Sequence, residues 1–181
     1  MQHINIHYFK TPVGELILGS YNNSLCLADW RFRKMRTAID ERIQKKLNAG
    51  YTEGEDEVLA ETRNQLDQYF TGERKAFELP LLFAGTDFQK TVWNALLEVE
   101  YGTTSTYLRL SEKLKNKDAI RAVASANGAN AISIIVPCHR IIGSDGELVG
   151  YAGGLPAKQK LLELENSDIM KAKAAQTALE L

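Results

Sequence analysis

Ile135-Val136-Pro137-Cys138-His139-Arg140-Ile141-Ile142-Gly143, with Tyr151-Ala152-Gly153-Gly154 close behind, is the stretch on which the reading of this chain turns. It sets one of only two cysteines between a rigid proline and an imidazole, after an apolar run. A thiol attacks only as thiolate, and an adjacent His or Arg supplies charge that favours that form. Free cysteines are otherwise small buried hydrophobes. His139, Arg140 and the glycines beyond lift Cys138 above that reading. Cys26, between Leu25 and Leu27, stays a core or strand residue.

Outward from this stretch the pattern is helical on both sides. Before it, Thr106–Leu114 and Asp118–Asn127 read as two short helices separated by Lys115-Asn116-Lys117, the spacing a helix-turn-helix needs. Earlier still, Phe88, Val92, Trp93, Leu96 and Leu97 recur at helical spacing behind a Thr86 or Asp87 cap, and Tyr101-Gly102 ends that helix. After it, Ile141 to Gly150 predicts a hairpin turning at Asp145-Gly146, which would be the wing of a winged helix. A helix over Pro156–Glu165 follows, carrying Leu161, Leu162 and Leu164, and the Ala- and Lys-rich tail after Ser167 reads as dispensable.

The first third has a different period. Ile4, Ile6 and Tyr8 alternate with polar neighbours, and Leu16-Ile17-Leu18 and Leu25-Cys26-Leu27 are short apolar runs around Tyr21-Asn22-Asn23, which predicts an antiparallel meander. A helix over residues 37–48 ends near Gly50, residues 51–55 form a loop, and a second helix runs from Asp56 to Phe70, stopped by Thr71-Gly72. Leu79 to Gly85 reads as a connector to a second unit.

Composition narrows the classes. Hydrophobic content of 44% and charge of 25% over 181 residues suit one or two globular domains. No apolar segment approaches the roughly 20 residues that cross a bilayer, and the N-terminus lacks a secretory signal, so a cytoplasmic protein is expected. Two cysteines make no disulfide framework, and Cys26, His3 and His7 give no four-ligand zinc set, so no metal is expected. Net charge is −1, but Arg109, Lys113, Lys115, Lys117, Arg121 and Arg140 face only Glu112 and Asp118 within residues 101–143, a patch suited to salt-sensitive phosphate binding.

Over residues 84–165 at motif level, and loosely before that, the chain resembles the O6-alkylguanine-DNA alkyltransferases, which move an alkyl group from damaged guanine to their own cysteine. The resemblance implies an α/β, ribonuclease-H-like domain over residues 1–83, catalytically silent. A mainly α winged-helix domain over 84–167 would carry the active site, with a tail over 168–181. It implies Cys138 as nucleophile and acceptor, with His139 acting on it through a water and Glu165 orienting His139. Tyr107 would donate to the extruded guanine and help turn the nucleotide, Arg121 would fill the vacated stack, and Asn130 would lock the hinge before the active-site loop.

Tyr151, Ala152 and Gly153 would form the pocket wall, the glycine leaving room for the base. The Ala152 amide would donate to O6 where many relatives carry serine, and carbonyls near Cys138 and Ile141 would accept from the exocyclic amine. Arg140 counts among the DNA-side residues. No cofactor is implied. The partner is double-stranded DNA containing O6-alkylguanine, approached through the minor groove by a monomer that associates with the nucleoid. Two rivals stay open: a cysteine hydrolase using Cys138 and His139, and a winged-helix lesion sensor that binds without transfer.

Overall fold

The computed structural model describes residues 2–180. Its first half is a four-stranded sheet of β1 (His3–Thr11), β2 (Gly14–Tyr21), β3 (Ser24–Trp30) and β4 (Gly50–Glu53), in the order β3-β2-β1-β4. The meander is antiparallel, with Tyr8 opposite Ile17 and Leu18 opposite Ala28. Residues 50–53, read from sequence as loop apart from Gly50, instead pair in parallel with His3–Ile6. Four mostly polar residues carry no alternation, and what makes them a strand is the unfilled hydrogen-bonding edge of β1.

Two helices sandwich this sheet. Ile17, Cys26 and Leu27 face α1 (Arg36–Leu47) through Ile39 and Ile43. Leu16, Leu18 and Leu25 face α2 (Glu57–Phe70) through Leu59, Leu66 and Tyr69. Burial on both faces explains why β2 and β3 read as continuous apolar runs. The stop of α1 is Asn48, in a left-handed conformation (φ 48°), rather than Gly50.

The second half wraps α3 (Asp87–Leu96), β5 (Ser105–Thr106), α4 (Tyr107–Lys113), α5 (Ile120–Gly128), β6 (Ile141–Ile142) and α6 (Leu155–Leu164) around the same core, with α7 (Asp168–Leu179) carrying no buried residue. Thr86 and Gln89 form a reciprocal capping box on α3. That helix stops at Leu96, short of Tyr101. Thr106 caps α4 by accepting from the Arg109 amide, and Lys115 (φ 56°) makes the turn into α5.

The expected wing is a turn without a ladder. Gly143 N–H donates to Glu147 O at 3.0 Å and Gly146 adopts φ 81°, but residues 148–150 form no strand. Two competitors account for this. β6 pairs in parallel with β5, and the carbonyls of Val149 and Gly150 accept from Lys158 Nζ at 2.8 and 3.4 Å.

The halves are joined along β3. Its outer edge exchanges backbone hydrogen bonds with residues 131–133: Ala28 N–H donates to Ala131 O at 2.8 Å, and Ser133 N–H to Ala28 O at 2.7 Å. Leu25 does the same with Pro80 and Leu82. The loop that leads to Cys138 therefore runs as an added partner of the N-terminal sheet.

Candidate active site

Residues 131–142 are all buried, although this segment lies between a surface helix and a turn. Asn130 organises it. Its Oδ1 accepts from Ile132 N–H at 2.9 Å, while Nδ2 donates to Val136 O at 3.0 Å and to Cys138 Sγ at 3.2 Å. One amide thus ties both ends of the loop and touches the sulfur. Ile134 sits at φ 70°, a conformation that costs a β-branched residue on the order of 1–3 kcal/mol and persists where surrounding contacts over-determine it.

Cys138 opens a short 3-10 turn, Cys138–Arg140, and is 4% exposed. Burial pushes its thiol up; the Asn130 hydrogen bond and the charges of Lys158 and Arg33 oppose that without overcoming it. The two residues read from sequence as its charge partners turn elsewhere. His139 Nε2 meets Glu165 Oε1 at 2.8 Å, and Arg140 grips the same carboxylate through Nε at 2.9 Å and Nη2 at 3.0 Å. Arg140 also donates to Val99 O at 2.6 Å, so in this structure it braces the interior. The reason is geometric: in a 3-10 turn successive side chains point about 120° apart, so residues after Cys138 cannot share its direction.

Glu165, the C-cap of α6, is 3% exposed, far from the surface carboxylate its helix position alone suggests. Burial would raise its carboxyl, but His139 and Arg140 outweigh it and hold it at about 2. An ionised carboxylate only accepts, so the Nε2 of His139 carries the proton. Nδ1 then holds the lone pair, and it is buried without a protein partner. Burial also keeps the imidazole below its ordinary value, against the pull of Glu165. The result is a neutral base with one free nitrogen.

A pocket of about 280 Å³ opens beside Cys138, lined by Tyr107, Asn127, Tyr151 and Ala152 from the second half and by Arg33 and Met35 from the first. That is the low end for ligand sites and suits one planar ring system. Burial, and then Cys138, raise the Tyr107 hydroxyl, so it stands protonated as a donor. The Tyr151 hydroxyl is buried without a partner, and its ring meets Trp30 and His139 edge-on at 5.8 and 6.4 Å.

Gly153 lies outside this pocket. A Cβ there would fall 2.4 Å from Trp30 Cε2, so the space it leaves is taken by an indole of the N-terminal sheet, not by a base. The Cys138 and Ile141 carbonyls already accept from Ile141 N–H and from Lys158 Nζ (2.5 Å), each keeping a second lone pair. Arg121 stands exposed on α5, outside the pocket.

Sequence reasoning missed the contributions of the first half and of Lys158. Arg33 donates to Gly128 O at 2.6 Å and Asn130 O at 3.2 Å, and Arg42 to Ala129 O at 2.9 Å, so two arginines satisfy three successive carbonyls at the end of α5. Asp29, fully buried, pairs with Arg33 and Arg36 and accepts from Ser133 Oγ at 3.1 Å. Lys158 is also fully buried, and burial lowers its ammonium to about 8. Its signal was present: Lys158, Leu161, Leu162 and Glu165 lie on one stripe of α6. Among the described residues, no three His, Cys, Asp or Glu side chains gather as metal ligands, and no helix is long and apolar enough to cross a membrane.

A buried cysteine beside a base and an ionised carboxylate, at the foot of two short helices arranged as a helix-turn-helix, defines a thiol group-transfer protein built on a nucleic-acid-binding unit. Comparison with known proteins agrees. Residues 87–167 match the DNA-binding domain, and residues 4–83 the ribonuclease-like domain, of 6-O-methylguanine DNA methyltransferase. The methylated-DNA–protein-cysteine methyltransferases of Methanosarcina acetivorans and Haemophilus influenzae are each 42% identical over 159 residues, covering 88% and 87% of this chain and 96% and 84% of their own lengths. Mycobacterium tuberculosis OGT, solved in complex with DNA, superposes with a TM-score of 0.76 at 36% identity, covering 93% of this chain and 97% of that one. The chain belongs to the 6-O-methylguanine DNA methyltransferase family.

Proposed function

We propose that this protein repairs alkylated DNA by moving the alkyl group of O6-alkylguanine, and secondarily of O4-alkylthymine, onto Cys138, once per molecule. The observation that carries this reading is a buried Cys138 lining the pocket, next in the chain to an imidazole that Glu165 orients and whose Nδ1 has no partner among the described residues. His139 Nδ1 takes the thiol proton through a bridging water, and Glu165 steadies the imidazolium. The sulfur attacks the alkyl carbon in line; the S–C bond forms as the C–O6 bond breaks. Tyr107 donates toward the departing guanine, and the proton lost from the thiol ends on the base. The thioether has no leaving group that would regenerate a thiol, so the reaction stops after one event.

A cysteine 4% exposed is reached only by a base turned out of its stack. In this reading α4 and α5 hold double-stranded DNA through the minor groove, Arg121 fills the gap left in the stack, and the Ala152 amide faces O6. The protein acts as a monomer in the cytoplasm, at the nucleoid.

The test is to incubate the purified protein with duplex DNA carrying O6-methylguanine, take its intact mass and map any adduct. The expected result is a gain of about 14 Da on Cys138, in step with restored guanine. DNA binding without an adduct on a reduced thiol would leave a lesion sensor. A burst followed by turnover on an acyl substrate would leave a hydrolase.

A further inference from the structure

The carboxylate behind His139 has a partner from the opposite half of the chain. Tyr69 lies in the last turn of α2, 96 residues before Glu165, and its hydroxyl donates to Glu165 Oε1 at 2.7 Å. That oxygen also meets His139 Nε2 at 2.8 Å and Arg140 Nη2 at 3.0 Å. Tyr69 is fully buried, its ring packed against Phe70, Phe77 and Tyr101 at centroid distances of 5.3, 5.5 and 6.3 Å.

We propose that Tyr69 is a positioning residue of the thiol relay: its hydroxyl takes up part of the Glu165 charge and so sets how strongly that carboxylate holds the His139 proton. The proposal rests on the reading of His139 as the base for Cys138. Hydrogen bonds to one carboxylate oxygen compete for the same electron density, so each added donor weakens the others. With the phenol gone, more of the charge on Oε1 falls to His139. The imidazolium is stabilised and the base becomes stronger, but it is protonated, and therefore idle, up to a higher pH. The other titratable groups around this pair are Arg140 on the carboxylate, Lys158 from α6, Tyr101 after α3, and Tyr151 and Cys138 on the pocket side. Arg140 Nη2 shares Oε1 with Tyr69 and takes part of the released charge, and the rest falls to His139.

The chain has three histidines, so the His139 ring can be followed by NMR through a pH titration without DNA. In Tyr69→Phe, the His139 titration and the acidic limb of single-turnover methyl transfer should both move to higher pH by about one unit. Installing 3,5-difluorotyrosine at position 69 makes a stronger donor of similar shape and should move both downward; it also serves if Tyr69→Phe does not fold. A folded protein of either kind with unchanged titration and unchanged limb overturns the proposal, whatever its loss of thermal stability. A wild-type protein that never methylates Cys138 would sink the underlying reading instead, and the His139 titration separates the two failures.

Discussion

Cys26 and Cys138 are both buried, and their surroundings differ in one respect. Cys26 lies in β3 among leucines, and its thiol donates to the Gly19 carbonyl at 3.5 Å. Burial, reinforced by Asp56, pushes it up to about 12. Cys138 accepts a hydrogen bond from the Asn130 amide instead, within reach of the charges of Lys158 and Arg33. One sulfur faces an acceptor, which fixes the proton; the other faces a donor, which is ready for an anion. Burial makes both inert at rest. The direction of a single hydrogen bond, backed by two cations, separates the two thiols and suits Cys138 to carrying a negative charge.

The largest effect should come from exchanging sulfur for oxygen at each site. Cys138→Ser should leave no detectable adduct, whereas Cys26→Ser should transfer within about twofold of wild type; intact mass after exposure to methylated duplex reads both. Equal losses would dissolve the contrast. Next, Asn130→Ala removes the donor to Cys138 and the ties across the loop, and single-turnover rates should fall roughly 10- to 100-fold, the range of a hydrogen bond to a charged group. The same substitution should not change labelling of Cys26 by iodoacetamide.

The smallest effect concerns acid. The Cys138 side depends on Glu165, whose carboxyl is held at about 2 against an ordinary 4.5. A carboxyl lowered by folding adds stability that is complete above pH 4.5 and lost as pH falls toward 2. Urea midpoints across that window should therefore drop more steeply for wild type than for Glu165→Gln, by on the order of 2 kcal/mol over the range. Parallel curves would mean that the carboxylate is not carrying charge in the folded state.

The same contrast marks what was legible in the sequence. Alternation at Ile4-Ile6-Tyr8 and helical spacing at Phe88–Leu97 gave the meander and α3 because one face of each is apolar and the other is not. β4 was invisible, being held by its neighbour's edge, and the wing ladder failed because Lys158 takes the carbonyls it would have used. In the site, the structure brings Cys138, Asn130, Tyr107 and Tyr151 to one pocket and seats His139 on Glu165 behind it. Arg140 and Gly153 were assigned to the ligand side through the resemblance, and in the structure they meet Glu165 and Trp30, 25 and 123 positions away along the chain. Arg33 and Tyr69 escaped notice because a buried cation or phenol is recognised by what it faces, and local pattern does not record that; Lys158 was legible from its stripe on α6 and was passed over.

The pairing of residues 131–133 with the edge of β3 bears on how the molecule is made. Asp29 and Ser133, which touch across that seam, are 104 residues apart. Such distant pairings are the slow steps of folding, since a long loop must close before they reward it. During synthesis the sheet emerges first and waits with its outer edge open, while the segment bearing Cys138 is still unmade. The segment that bears Cys138 is made after the strand edge it pairs with, so its place in the fold depends on that distant contact.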